Sequence, residues 1–302
     1  MKVGIAISSY KSDDDVIALV EKIDLESWPV DGVLIVDSFG SGKLNDYCSN
    51  SNINNLEYFN FDVNLGSAGN LNKRLILSTE KEWEFVLALN HDALVEKETL
   101  IELLKYSHIP FIGALYPLKF YPNKNFYDYS GTKEIGPWRS FGVASPSKDQ
   151  LIPCIWSSSN GALYNLKPIR SGVIPNSSLW MGWEDYLYGL DLKKSGYIQF
   201  LVSNAVCEDS YEFTEKKIGF ANVVLSSKPD WYHYYRTRNL WLICWNYHPS
   251  FMRFIRIFTR TIIESLLICF GWKEYSRRHS LKLQRQGFYD AWNFKIGKKE
   301  IK

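Results

Sequence analysis

Through about residue 120, short unbroken apolar runs alternate with stretches whose apolar residues recur every three or four positions. KVGIAIS, GVLIVD, NLEYFN, EFVLALN and PFIGALYP are too short for helices and are predicted as strands. DDDVIALVEKI, SAGNLNKRLILST and EKETLIELLKYS carry the helical period, and the three aspartates opening the first suit the positive end of a helix dipole. Strands alternating with helices predict an α/β architecture around a mostly parallel sheet, with ligands bound at the carboxyl ends of the strands. Those ends carry Ser8, Ser9 and Tyr10, then Asp37 and Ser38, then Asn90, His91 and Asp92.

From about Tyr121 to Pro153 the pattern loosens into Pro, Gly, Asn and Tyr, as expected of a long covering loop. LIPCIWSSSNGALYNL returns to strand character, a helix opens at Glu184–Asp185, and YIQFLVSNAV reads as a further strand. Near the end, Phe251, Phe254, Ile255, Phe258, Ile262, Leu266 and Phe270 recur at helical spacing, with Arg253, Arg256, Arg260 and Glu264 on the opposite face. The expected division is an α/β domain over 1–240 and a basic amphipathic helical region over 241–302.

Composition changes this picture in three places. Aromatic residues reach 16%, and such an excess suits surfaces that hold sugars, membranes or partner proteins. The five cysteines, Cys48, Cys154, Cys207, Cys244 and Cys269, form no CxxC pair, which argues against a zinc ribbon or disulfide framework and for free thiols in the cytoplasm. Charge is uneven. From Phe251 onward 12 Lys/Arg stand against 4 Asp/Glu, a net of +8, so with +2 overall the first 250 residues carry −6. A basic tail on an acidic body implies an anionic partner.

Several stretches carry candidate chemistry. Asp92 ends the strand VLALNHD, where a carboxylate can hold Mg²⁺ or Mn²⁺ against substrate phosphates; a cap or turn role is the plainer alternative. In NLGSAGNLNKRL, Gly66 and Gly69 allow close backbone approach at a helix N-terminus, with Asn64 before them and Asn72 within the first turns. The spacing is neither a P-loop nor a dinucleotide fingerprint. Asp37 in VDSFGSG fits a base or ribose contact, or turn chemistry alone. In LWMGWEDYLYGL, Glu184 and Asp185 at a helix start suit the helix dipole, the plainer reading of the pair alone; Trp180 and Trp183 before them add apolar faces for a sugar ring, and a carboxylate beside such a platform can serve as a general base.

The order of these pieces (a first strand, Asp37, NLGSAGNLN, NHD, NGALYNL with Gly161, WEDYLYGLDLKKSGY and WYHYYRTRNLW) resembles the GT-A glycosyltransferases of family 2, most closely bacterial rhamnosyltransferase-like members. The resemblance covers roughly Met1 to Trp241. It implies inverting transfer of a sugar from a nucleotide-diphosphate sugar to a saccharide or lipid-linked saccharide. Asp185 becomes the catalytic base, with Trp180, Trp183 and Glu184 on the acceptor side. Ser8, Ser9, Tyr10, Asp37, Asn64, Gly66, Gly69, Asn72, Asn90, His91 and Gly161 fall to the donor. Asp92 falls to a Mg²⁺ or Mn²⁺ ion with Asp209, which stands near the place where many members carry a metal-binding His. Two further departures are Ser38, where Asn is usual, and Asn70, where the second Gly of AGG is usual.

The basic helix has three readings: its apolar face packed on the catalytic domain, nucleic acid, or a membrane interface with Trp241, Trp245 and Trp272 at headgroup depth. No nucleic-acid motif accompanies it. The expected place is peripheral, at the inner face of the cell membrane. The rival functions are a nucleotidyltransferase, whose Gly-rich basic loop SSYKSDDD lacks, and a non-catalytic carbohydrate-binding protein of the same shape.

Overall fold

A computed structural model describes residues 1–23, 28–40, 42–53, 55–122, 125–134, 150–208, 213–218, 221–226, 229–270 and 277–300. The N-terminal part alternates β1 (Val3–Ser9), α1 (Asp13–Lys22), β2 (Gly32–Asp37), α2 (Gly42–Asn50), β3 (Leu56–Asn60), α3 (Gly66–Thr79), β4 (Phe85–Asn90), α4 (Lys97–Leu104) and β5 (Ile112–Tyr121). Then follow β6 (Phe126–Asp128), β7 (Leu151–Pro153), β8 (Ala162–Asn165), α5 (Leu166–Arg170), α6 (Glu184–Lys194) and β9 (Ile198–Glu208). A hairpin, β10 (Phe213–Ile218) with β11 (Ala221–Ser226), precedes α7 (Trp231–Leu242), α8 (Phe251–Phe270) and α9 (Arg277–Trp292).

The described strands form a nine-stranded sheet in the order β3-β2-β1-β4-β8-β5-β9-β7, with β6 on β5. β3, β2, β1 and β4 are parallel, β8 runs antiparallel to β4 and β5, and β9 returns parallel to β5. The predicted strands read as unbroken apolar runs because both faces are covered. Alternation splits each run between two layers. Ile5, Ile7, Ile35 and Leu89 point into one core, and Ala6, Leu34, Val36 and Ala88 into the other.

Four expectations change. The covering segment from Tyr121 to Pro153 contains β6, a short 3-10 turn (Ser130–Thr132) and β7, and its residues 135–149 lie outside the described residues. α2, α9 and the β10–β11 hairpin were not predicted. The division at 240 falls inside α7, which continues into a π-helical stretch (Ile243–Tyr247), so no linker stands there. Finally, α8 sits the other way round from the packing reading of the tail. Its arginine side faces inward, with Arg253 and Arg260 buried beside Ile257, while Phe251, Phe254, Ile255, Phe258, Ile262 and Leu266 are exposed. Trp241 is buried under this layer rather than held at its surface, and Trp272 lies outside the described residues.

Candidate active site

The carboxyl ends of β1, β2 and β4 converge on one edge of the sheet and are stitched together there. The Ser8 hydroxyl donates to Asn90 Oδ1 at 3.2 Å, and the Ser38 amide donates to the Ser9 carbonyl at 3.0 Å. The Asn90 amide donates to Asn160 Oδ1 at 3.0 Å, and the Gly161 amide to the Ala88 carbonyl at 2.7 Å. Gly161 has φ +83°, and a Cβ there would stand 3.0 Å from Pro117, so the turn into β8 needs glycine. Tyr10 and Phe39 stand exposed on this edge, edge-on at 6.1 Å, with the Lys11 ammonium over both rings.

Asp37 is wholly buried. Its carboxylate accepts from the Phe39 amide at 3.0 Å, the Gly40 amide at 3.1 Å and the Tyr58 hydroxyl at 2.8 Å. These bonds shape the turn that presents Phe39. Beside it, the two departures from the family pattern meet. The Asn70 amide group donates to the Val36 carbonyl at 3.0 Å and to Ser38 Oγ at 3.2 Å, so Ser38 and Asn70 act as one pair tying α3 to β2.

At the head of α3, Asn64 Oδ1 accepts from the Gly66 amide at 2.9 Å. Gly66 has φ +66°, and a Cβ there would lie 2.1 Å from the Trp180 carbonyl oxygen. That carbonyl accepts from the Ala68 amide at 3.1 Å, and the Trp180 indole donates to the Asn64 carbonyl at 3.2 Å. The WMGW stretch is therefore clamped onto the start of α3. Gly69 closes against Leu65, and Asn72 donates to the Pro175 carbonyl at 2.7 Å, a packing bond to the loop before Trp180.

WMGW itself is strained. Trp180, Gly182 and Trp183 all have positive φ (59°, 82° and 68°), rare for tryptophan. What holds the strain is the RN of WYHYYRTRNLW. Arg238 donates to the Leu179 carbonyl at 2.7 Å, and the Asn239 amide group reaches the carbonyls of Leu179, Met181 and Gly182 at 3.1, 2.8 and 2.8 Å. The indoles are packed rather than open platforms. Trp180 lies on Tyr235 at 4.7 Å with Lys298 over its ring, and Trp183 sits between Trp156 and the Arg260 guanidinium.

This turn delivers Glu184 and Asp185 into the first turn of α6. Glu184 is buried and its Oε2 has no hydrogen-bond partner; Asp185 is part-buried, and its Oδ1 is shut from solvent and equally without one. Burial lifts Asp185 from 3.8 to about 7, the Glu184 carboxylate adds to the rise, and the Ser159 hydroxyl and amide oppose it. Burial also raises Glu184, against the Ser67 hydroxyl. Two carboxyls in one poorly solvated place resist ionising together. Arg74 donates to the Ala6 and Leu89 carbonyls at 3.3 and 2.8 Å and interacts electrostatically with both acids. Burial depresses this guanidinium to about 10. Arg74 therefore links the acid pair to β1 and β4, and Ser159 and Asn160 link it to Asn90.

Asp92 stands exposed just past β4, with His91 beside it. Two residues on, Leu94 bridges Glu208, which brings the end of β9 next to Asp92; Asp209 itself lies outside the described residues. Among the described residues no group of three His, Cys, Asp or Glu side chains is arranged to hold a metal. The chemistry of one or two carboxylates nonetheless fits Mg²⁺ or Mn²⁺, which take remaining ligands from phosphate and water.

Sequence reading missed Phe39, Ser159, Asn160 and the roles of Arg74 and Arg238–Asn239. Only SSSNG before β8, a cluster of small polar residues at a strand mouth, signalled the second and third.

No family model matches the chain, and no curated protein matches it. Solved structures do. The TarS 1–349 fragment of S. aureus in complex with UDP-GlcNAc is 16% identical with a TM-score of 0.58, over 96% of this chain and 81% of that one. This chain has the GT-A fold. The mannosyltransferase PcManGT of Pyrobaculum calidifontis, in complex with GDP-Man and Mn²⁺, is 14% identical with a TM-score of 0.56, over 97% and 75%. GalNAc-T7 with UDP, GalNAc and Mn²⁺ is 9% identical with a TM-score of 0.60, over 97% of this chain and 56% of its own.

Proposed function

We propose that the protein is an inverting glycosyltransferase. It moves a sugar, rhamnose or another hexose, from a nucleotide-diphosphate sugar to a saccharide or lipid-linked saccharide in bacterial surface polysaccharide synthesis, working at the inner face of the cell membrane. The observation that carries this reading is Asp185: a carboxyl with one oxygen lacking a hydrogen-bond partner, lifted to about 7 by burial, in the first turn of α6 behind the strained WMGW turn and linked through Ser159 and Arg74 to the strand ends. Structural catalysts of this kind need a base near the working pH, and purely structural acids do not. The likeness to proteins solved with UDP-GlcNAc and GDP-Man supports the class of donor.

The base of the nucleotide stacks on Phe39 and Tyr10, on the lip shaped by Asp37, and the diphosphate lies along Ser8, Asn90 and Asp92. Asp92 would hold a divalent ion, which when bound neutralises charge gathering on the departing diphosphate. The acceptor hydroxyl enters beside α6. Its oxygen attacks the anomeric carbon while its proton passes to Asp185, and the carbon–diphosphate bond breaks with its electron pair leaving on the phosphate oxygen. One displacement from the opposite face inverts the anomeric centre. The Glu184 carboxylate beside Asp185 raises its affinity for that proton, and Arg74 steadies the pair.

The test is a screen of nucleotide sugars for thermal stabilisation and slow hydrolysis, run on wild type and Asp185→Asn. A transferase keeps donor stabilisation in Asp185→Asn and loses turnover. Turnover absent from both proteins, with sugar binding intact, would mark a carbohydrate-binding protein instead.

A further inference from the structure

α8 is folded inside out. In most surface helices the apolar stripe faces the core and the charged stripe faces water. Here Arg253 donates to the Tyr186 hydroxyl at 3.1 Å and to Glu134 at 2.9 Å, and Arg260 donates to Glu264 at 2.9 Å while lying over the Trp183 ring. Glu264 also pairs with Arg236 at 2.6 Å. The polar side of the helix is thus satisfied by the catalytic body, and the side left outward is apolar. Phe251 is 76% exposed, and Phe254, Ile255, Phe258, Ile262 and Leu266 continue the stripe. The stripe does not stop at α8. Phe254 packs on Trp241, Trp241 on Phe288, and Trp245 on Phe288 and Trp292, whose own ring is 70% exposed. Phe294 and Ile296 extend it beyond α9. An outward apolar face running over two helices marks an interaction surface.

We propose that this face docks the protein on an anionic lipid bilayer, α8 lying in the interface with its stripe among the acyl chains. Charge decides between occupants. The exposed aromatics of α9 and the segment after it are interleaved with exposed Lys282, Arg285, Lys295 and Lys298. A face that closed on a second copy of itself would bring these cations together, whereas acidic headgroups neutralise them. Trp292 and Tyr289 at the rim have the amphipathic shape favoured at headgroup depth. Among the described residues no helix is long and apolar enough to cross a membrane, so the contact is interfacial. The inward side of the same helix touches Trp183 and Tyr186, which flank Asp185. The catalytic pair therefore lies about one helix diameter, roughly 10 Å, from the docking face, within reach of a lipid-linked acceptor. That last consequence rests on the transferase reading; the docking itself does not.

The experiment is co-sedimentation of the full chain, without nucleotide sugar, with phosphatidylglycerol-rich and with pure phosphatidylcholine vesicles, beside light scattering of the free protein. Wild type is expected to bind the anionic vesicles, and Phe258→Asp/Ile262→Asp to lose on the order of tenfold or more in affinity with its circular dichroism unchanged, since both side chains are already exposed. Lys282→Glu/Arg285→Glu is expected to weaken binding to the anionic vesicles more than to the neutral ones. Asp185→Asn should bind as wild type does, which separates a failure of docking from a failure of the transferase assignment. Equal vesicle binding by Phe258→Asp/Ile262→Asp overturns the proposal. So does a wild-type dimer that this variant dissolves, which would give the face to self-association.

Discussion

The turn after β2 and the mouth of α6 each carry an aspartate at the same edge of the sheet, and the protein treats the two in opposite ways. Asp37 has three donors and sits in a turn that suits it. Asp185 has an oxygen with none, next to a second acid, at the end of a turn that is strained and must be held shut by Arg238 and Asn239. An interior carboxylate that is satisfied costs little and is inert as a base. One left unsatisfied costs stability, and the cost persists where proton transfer requires it. On the proposed reading, the incomplete partnership of Asp185 separates the aspartate assigned as the base from Asp37, which builds the turn.

The largest effect should come from Asp185→Asn: loss of transfer by roughly 10²–10⁴-fold with donor binding retained, measured by turnover and by calorimetry with the nucleotide sugar. The same residue sets a stability slope. The folded state holds this proton more tightly than the unfolded chain does, so stability should fall as pH rises from 3.8 to about 7 and level off above. Denaturant titrations across that window should show the slope in wild type and its loss in Asp185→Asn.

Asn239→Ala ranks next. It releases three carbonyls of the strained turn, and about 2–4 kcal/mol of stability should go with them, along with a fall in kcat larger than any change in donor KM. An unchanged kcat in the folded fraction would break the link between that turn and catalysis. Phe39→Ala removes a half-exposed ring, so stability should hardly move while donor KM rises roughly tenfold, in line with about 1–3 kcal/mol for a base–aromatic stack. The smallest effect is expected for Asp37→Asn: about 1–2 kcal/mol of stability from weakened turn bonds, with kcat unchanged. A large loss of kcat there would erase the contrast between the two aspartates.

The parallel half of the sheet was legible because strands covered on both faces must be apolar throughout, and their polar last residues mark the binding edge. α2 was not, since GKLNDYCSN buries only Leu44 and so shows no apolar period. α9 read as a basic tail because its buried residues, Ser280, Leu283, Gln284 and Asp290 among them, are largely polar. In the site, the acid pair and the strand-end polar residues were readable by type and order. The clamp of Trp180 on Gly66, the pairing of Ser38 with Asn70 and the grip of Asn239 on the WMGW carbonyls were not, because each joins residues tens of positions apart. The same holds for α8. Its two faces are plain in the sequence, but which one turns inward depends on Glu134 and Tyr186, 119 and 67 residues away.

The pH profile of sugar transfer in wild type and in Glu184→Gln tests Asp185 as the base most directly. The rate should rise through about pH 7 in wild type as Asp185 loses its proton, and the midpoint should move to lower pH in Glu184→Gln, where the neighbouring acid that adds to the rise is gone. A midpoint that stays where it was, or a rate indifferent to pH through the neutral range, would contradict the assignment of Asp185 as the base.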